Sequence, residues 1–419
     1  MATKVIVVGG GFAGLNAAKV LARNPQVEVL LLDRRNHHLF QPLLYQVATA
    51  GLSPAEIATP IRSVFSDFPN VRVLMEEVRG IDRQAKSVTT SSGSHDYDYL
   101  IIATGALHSY FGHDEWENFA PGLKTVEQAT EIRRRILFAF EEAEKINDPH
   151  LQKEWLSFVI VGGGPTGVEL AGAIAEISRT TLEKDFRHID PAQTRVLLIE
   201  AGPRLLAAFD ESLSKRASRD LERMGVQTWT RTRVTEVTED GVRFGGESVR
   251  ARTVIWAAGV EASPLGKKLS TPLDRSGRVI VEKDLSLPND PHVFVIGDLA
   301  AFEEKPGKYL PGLAPVAMQE GRAAGRNILL DLKGRPREAF RYVDKGIMAT
   351  IGRRRAIMEV GKLRVGGILA WYAWLFIHIF YLIGFKSRLF VFMQWAWSYL
   401  TFKRGARLIV DKDWRLTKG

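Results

Sequence analysis

Residues 4–33 read KVIVVGGGFAGLNAAKVLARNPQVEVLLLD, and the fold follows from them. Val5, Ile6, Val7 and Val8 form the continuous apolar run expected of a strand buried on both faces of a parallel sheet. Gly9, Gly11 and Gly14 follow at GxGxxG spacing: one for the sharp turn, one for close approach of backbone to a pyrophosphate, one for helix against strand. The helix behind them would aim its N-terminal N–H groups and positive dipole end at that pyrophosphate. A second apolar run ends on Asp33, a carboxylate placed to accept from the hydroxyls of an adenosine ribose. Strand, glycine turn, helix, strand and acid together predict a Rossmann-like dinucleotide site.

The pattern returns at residues 158–177, FVIVGGGPTGVELAGAIAEI, where Gly162, Gly164 and Gly167 repeat the spacing. A later strand from Arg195 ends on Glu200, with the extra length before it assigned to an extended helix and the polar loop 184–194. Two dinucleotide folds in one chain imply two dinucleotides. A carboxylate at Glu200 suits a ribose diol and repels a 2′-phosphate, which favours NADH over NADPH; the neighbouring Arg204 argues the other way.

Composition narrows the class. The 419 residues allow two or three domains, and the absence of cysteine removes disulfides, thiolate metal sites and CxxC redox chemistry. The histidines show no ligand spacing, so no metal is expected. The chain enters its first strand at once, which predicts no cleaved signal peptide and cytoplasmic folding. The net charge of +9 is uneven: from Asp331 on there are 18 Lys and Arg against 6 Asp and Glu, or +12, leaving −3 for the rest. No nucleic-acid motif accompanies that basic tail, so anionic lipid headgroups are the expected partner.

Between the two motifs, residues 70–82 and 87–99 read as an antiparallel excursion, 99–103 returns to the sheet, and Thr104-Gly105 closes it with a tight turn suited to a cofactor or to an ordinary loop. Residues 130–155 read as a charged helix. In the second domain the strand from Val254 ends at Ala258-Gly259 in the same way. The run Val293-Phe294-Val295-Ile296 ends at Gly297-Asp298, where the Asp either caps a helix or accepts from the polyol chain of a flavin; the dinucleotide site at the start of the chain favours the flavin.

These residues resemble the two-dinucleotide-binding-domain flavoproteins, and within them the type II (non-proton-pumping, alternative) NADH dehydrogenases, which are NADH:quinone oxidoreductases. The resemblance runs along the chain: the first glycine motif, His38-Leu39-Phe40-Gln41-Pro42-Leu43-Leu44-Tyr45, the block from Gly162 to Glu169, Gly297-Asp298 and residues 310–325. Disulfide reductases and sulfide:quinone oxidoreductases share the fold but need paired cysteines. The family's AQxAxQ pattern reads Ala314-Pro315-Val316-Ala317-Met318-Gln319, with Pro315 in place of the first glutamine; proline suits the first turn of a helix, where its missing N–H is not needed. That helix, from about residue 315 to 330, would direct a positive dipole end at the reduced flavin ring.

The resemblance implies tightly bound, non-covalent FAD held by Gly9, Gly11, Gly14, Asp33, Thr104, Gly105, Gly297, Asp298 and Ala317, and NADH held by Gly162, Gly164, Gly167, Glu200 and Gly259. Glu169 is expected between nicotinamide and flavin as hydrogen-bond partner or proton carrier, the alternative being a carboxylate that complements the helix dipole. Gln319 and Lys345 are the quinone-side candidates, with a surface ion pair to Asp344 the alternative for the lysine. The rival activities are a soluble NADH-dependent reductase of a ferredoxin-like protein and a non-enzymatic NADH sensor or membrane scaffold.

The expected architecture is α/β: two Rossmann-like domains, the second inserted in the first, and a C-terminal amphipathic helical membrane anchor. FAD binding is expected in 1–125 and 282–335, NADH binding in 126–281, a flavin and quinone-side segment in 336–364, and the anchor in 365–419. Residues 365–385 hold 21 positions without a charged residue, enough to cross a hydrocarbon core of about 30 Å. Against a span, Gln394, Ser398 and Thr401 recur on one helical face while Trp395, Trp397, Tyr399 and Phe402 cover the rest, flanked by Arg364, Lys386, Arg388, Lys403, Arg404 and Arg407. A helical pair lying on one leaflet, at the cytoplasmic face of the cell (inner) membrane, is therefore expected; a span and burial in a homodimer interface are the alternatives.

Overall fold

The computed structural model describes residues 2–401 and 405–410. It divides into two compact units, the first Met1–Leu39, Ala58–Leu107 and Val260–Lys345, the second Phe40–Ile57, His108–Gly259 and Gly346–Gly419.

In the first unit, strand Thr3–Val8 lies at the centre of a six-stranded sheet, parallel to Val27–Asp33 on one side and Tyr99–Ile102 on the other. Val71–Met75 extends the first side and Asp290–Val295 the second, both parallel, with the short Ser286–Leu287 antiparallel at the edge. Val5 to Val8 are wholly buried, as their unbroken apolar run requires. Val8 is level with Leu32 and Ile102, so three strands end together and deliver the Gly9 loop, Asp33 and Thr104 to one edge. The excursion expected across 70–99 is shorter: Val71–Met75 joins the parallel sheet through its register with Val29 to Asp33, and only Val78–Asp82, Ser87–Thr90 and Ser94–Asp96 form the antiparallel meander. Helices Phe12–Leu21 and Ala314–Asp331 approach closely because Gly321 and Gly325 leave room for the Ala13 and Ala17 carbonyls.

The second unit repeats the plan. Four parallel strands stand in the order Val226–Trp229, Arg195–Ile199, Ser157–Val161, Thr253–Trp256, and a meander of Glu236–Thr238, Gly241–Phe244 and Glu247–Arg250 precedes the last of them. The charged helix expected over 130–155 is two: Val126–Lys145, capped by Thr125, and Pro149–Trp155, capped by Asp148. An Asp followed by Pro starts a new helix rather than continuing an old one.

The compact units also differ in their bounds from the domains expected above. Residues 40–57 belong to the second unit, and so does the chain from Gly346 on. There Ile347–Gly352, Arg355–Val360 and Leu363–Gly366 form an antiparallel sheet that packs on helix Pro165–Glu176, where Gly172 leaves space for the Ile351 carbonyl. Spatial packing overrides sequence position here.

The uncharged run 365–385 is not one helix. It supplies the end of a strand and helix Ile368–Tyr381; after residues 382–384 comes helix Phe385–Thr401. Fourteen residues rise only about 21 Å, and no helix among the described residues is long and apolar enough to cross a membrane. Trp374 and Trp395 pack against each other at 5.6 Å, and Trp395 donates to Gln46 at 2.7 Å. The aromatic residues around this helix differ in burial, with Trp395 inward and Trp397 outward. Gln394 and Ser398 are half-buried, whereas Phe376 and Leu400 are 71% and 82% exposed. Phe402, Lys403 and Arg404 lie outside the described residues.

Candidate functional site

Each unit carries one glycine cradle, built alike. In the first, Gly9 takes φ +103°, and a Cβ there would strike the Ala103 carbonyl; a Cβ on Gly14 would collide with the Gly9 carbonyl oxygen. Gly11 has nothing within 4 Å of where a Cβ would stand, so the space above the loop is open. No side chain caps the helix that starts after Gly11. Its first-turn N–H groups and positive end suit a pyrophosphate.

Asp33 accepts from Gly10 N–H at 2.6 Å and from Arg35 N–H at 2.7 Å. The carboxylate thus ties the loop to the neighbouring strand and keeps lone pairs for a ribose. Thr104 follows strand Tyr99–Ile102 by two residues, and its buried Oγ1 has no hydrogen-bond partner among the described residues; beside it Gly105, at φ +67°, faces open space. A buried hydroxyl without a partner is costly unless a ligand completes it. The open loop, the uncapped helix and the orphaned hydroxyl fit a dinucleotide cofactor.

After strand Asp290–Val295 and the buried Ile296 comes the short turn Gly297–Leu299, with Gly297 at φ +73° and Asp298 half-buried. Ala317 closes on this turn: a Cβ on Gly297 would stand 3.7 Å from the Ala317 Cβ. Pro315 occupies the first turn of Ala314–Asp331, where its ring is tolerated. Gln319 is engaged by backbone, its amide donating to the Val343 carbonyl and accepting from the Val343 N–H, both at 3.0 Å. It holds the segment that carries Lys345, which is exposed.

In the second unit Gly162 takes φ +114°, a Cβ there would strike the Ala257 backbone, and a Cβ on Gly167 would collide with the Gly162 carbonyl oxygen. Gly164 faces open space, with no side-chain cap on the helix beyond. Glu200 accepts from Gly163 N–H at 2.6 Å and from Gly202 N–H at 2.5 Å. Arg204, the residue that tempers the preference for NADH, spends its guanidinium on the carbonyls of Phe209 and Ala207 at 2.7 and 2.8 Å. Gly259, at φ +72°, is roofed by the Phe111 ring rather than open.

Two carboxyls stand out electrostatically. Glu169 is half-buried as a residue, yet protein crowds its carboxyl; desolvation pushes it up to about 8, and the nearby Thr350 backbone opposes the shift. Glu320, fully buried on Ala314–Asp331, accepts from Gly297 N–H at 2.6 Å and is likewise pushed up to about 8 by burial. Sequence reading passed over Glu320. Its signal is a lone carboxylate on the small-residue stripe of Ala317, Gly321 and Ala324.

His38, quoted above only as part of a motif, is buried against the first loop: its Nδ1 donates to the Gly10 carbonyl at 3.0 Å, and burial pushes it down to about 4. Its Nε2 is an acceptor without a partner among the described residues.

Comparison with known proteins identifies the family. The pyridine nucleotide-disulphide oxidoreductase family matches residues 3–321, and the NDH2 C-terminal domain matches residues 345–404. The type II NADH:quinone oxidoreductase Ndh of Mycobacterium tuberculosis is 43% identical over 98% of this chain and 91% of its own length. The type II NADH:quinone oxidoreductase of Staphylococcus aureus is 32% identical over 86% of this chain and 90% of its own. Among solved structures, NDH2 of Plasmodium falciparum in complex with NADH superposes with a TM-score of 0.89 at 19% identity, covering 98% of this chain and all of that one.

Proposed function

We infer how this protein works from its family, because the chain belongs to the type II NADH:quinone oxidoreductases: it oxidises NADH and reduces a quinone, with FAD as cofactor. FAD held by the first cradle would supply the two-electron redox chemistry that links NADH to the quinone. The observation that carries the reading is the doubled cradle, one glycine loop and one acid in each unit with the same backbone geometry.

The residues take their roles as follows. Gly9, Gly11 and Gly14 let backbone and helix end meet the FAD pyrophosphate, Asp33 accepts from the adenosine ribose, and Thr104 Oγ1, Gly105, Gly297, Asp298 and Ala317 line the remainder. Gly162, Gly164 and Gly167 serve the NADH pyrophosphate, Glu200 its ribose diol, and Gly259 the second strand end. Glu169, protonated near neutral pH, can hand on or receive a proton during turnover. Gln319 acts on the quinone side by holding residues 341–345, and Lys345 supplies a cation there.

The C-terminal helices form the membrane contact. Outward Tyr372, Phe376, Phe380, Phe392, Trp397 and Leu400 leave an apolar face of the kind that rests in a bilayer interface, with basic neighbours for anionic headgroups on the cytoplasmic side. Replacing Phe376, Phe380, Trp397 and Leu400 by Ser should release the protein from membranes without detergent; unchanged sedimentation with membranes counts against the attachment.

The activity is tested with purified protein: a yellow flavin spectrum, and NADH oxidation with a water-soluble quinone compared with a ferredoxin-type acceptor and with none. Turnover with the quinone is expected. Turnover only with the ferredoxin, or none with any acceptor, would refute the reading.

A further inference from the structure

We propose that Glu320 is a positioning residue for the flavin: its carboxyl, bonded to the Gly297 N–H, sets the turn that presents Asp298 to the cofactor's polyol chain. The inference rests on the assignment of Asp298 to FAD. Gly297 holds φ +73° and is wedged between helices, a Cβ there standing 3.1 Å from that of Ala13. The turn it begins, Gly297–Leu299, has three residues, so the direction of the Gly297 N–H fixes where Asp298 stands. That N–H finds its acceptor in Glu320, 1% exposed, at 2.6 Å. An apolar residue at 320 would leave the amide buried and unpaired.

The charge on this carboxyl is also set by its surroundings. Burial and, to a lesser degree, the charge of Asp298 raise it, the Gly297 hydrogen bond and Arg278 lower it, and the balance stands at about 8. Arg278 is itself tied to Asp274 at 2.8 Å and the Leu310 carbonyl at 2.9 Å. On the packed helix Phe12–Leu21 the one ionisable residue, Lys19, lies further along beside Arg322; Asp290 and His292 are at the far end of their strand. Near neutral pH the carboxyl is therefore held mainly protonated. Ionising it places a second negative charge beside Asp298.

The test is the rate of FAD release from the purified holoprotein, read as the rise of free-flavin fluorescence, for wild type, Glu320→Ala and Glu320→Gln, with melting temperatures alongside. Glu320→Ala should release FAD on the order of 10- to 100-fold faster, the span expected for orphaning a buried amide. Glu320→Gln keeps an acceptor and should stay within about threefold of wild type. Release from wild type should speed up as pH rises through about 8, and release from Glu320→Gln should not. FAD retention in Glu320→Ala equal to wild type, or Glu320→Gln as leaky as Glu320→Ala, would overturn the inference. Should Glu320→Ala not fold, the pH profiles decide: a flat Glu320→Gln profile against a sloping wild type supports it, and coincident profiles overturn it. Wild type purified without any flavin would instead overturn the proposed function, and this inference with it.

Discussion

The two glycine cradles use the same backbone device and differ in what surrounds it. In both, the first glycine sits in left-handed space against the backbone that follows a neighbouring strand, the third admits the first one's carbonyl, and an acid at the end of the next strand accepts at 2.6 Å from the N–H of the residue after the first glycine, Gly10 or Gly163. Around the first loop stand a further strand end, Gly297-Asp298, the helix Ala314–Asp331 and the buried Glu320. Around the second stand the sheet 347–366 and Glu169. The loops are thus alike, and what differs is the set of elements packed around each.

Breaking each loop separately is the strongest trial of that contrast. Gly14→Val drives a side chain into the Gly9 carbonyl and should yield protein without flavin, read from visible absorbance per chain. Gly167→Val meets the same clash at Gly162 and should keep its flavin, while kcat/KM for NADH falls by about 100-fold or more, the scale of a disrupted positioning contact. Equal flavin loss in both variants would erase the distinction. A smaller effect is expected at the acids. Glu200→Gln should raise KM for NADH about tenfold, the value of one charge-assisted hydrogen bond, and narrow the preference over NADPH, with FAD content unchanged.

The buried carboxyls sharpen the contrast through pH. Glu169 and Glu320 have folded-state values raised from 4.5 to about 8, so their stabilising effect is complete below the unfolded value and is lost as pH rises through about 8. His38, His108 and His378 are pushed down from 6.5 to about 4 by burial, and their contribution is lost as pH falls through about 4. Above about pH 6.5 only the carboxyls of this set act, so the melting temperature should fall from there to about pH 8.5. Glu169→Gln should flatten part of that slope. A slope identical to wild type would show that Glu169 carries no such burden. The smallest effect is expected at Arg353, whose guanidinium bonds the Ser398 carbonyl at 2.7 Å and lies over Tyr399. Arg353→Ala should cost about 1 to 2 kcal/mol, seen as loosened hydrogen exchange at the end of helix Phe385–Thr401 with flavin content unchanged.

Much of this was written locally. A GxGxxG between an apolar strand and a helix has one workable geometry, because only glycine tolerates φ +103° and a carbonyl in van der Waals contact. Gly9, Gly162, Asp33 and Glu200 are therefore readable from their neighbours in the chain, as is Pro315 in a first turn. Three features were not readable that way. Glu320 meets a glycine 23 positions earlier, Glu169 a threonine 181 positions later, and Trp374, inside the uncharged run 365–385, buries against Trp395 and Tyr45.

Sequence alone determined the parallel strands, the two nucleotide loops and the acids that end their second strands, since each depends on residues within a few turns of one another. Tertiary structure alone decided which carboxyls lose water, that Gln319 spends its amide on Val343, and that the sheet 347–366 belongs with the second glycine helix. The reason is physical: backbone conformation is set by local sterics, whereas desolvation and hydrogen-bond partnership depend on which distant segments pack together.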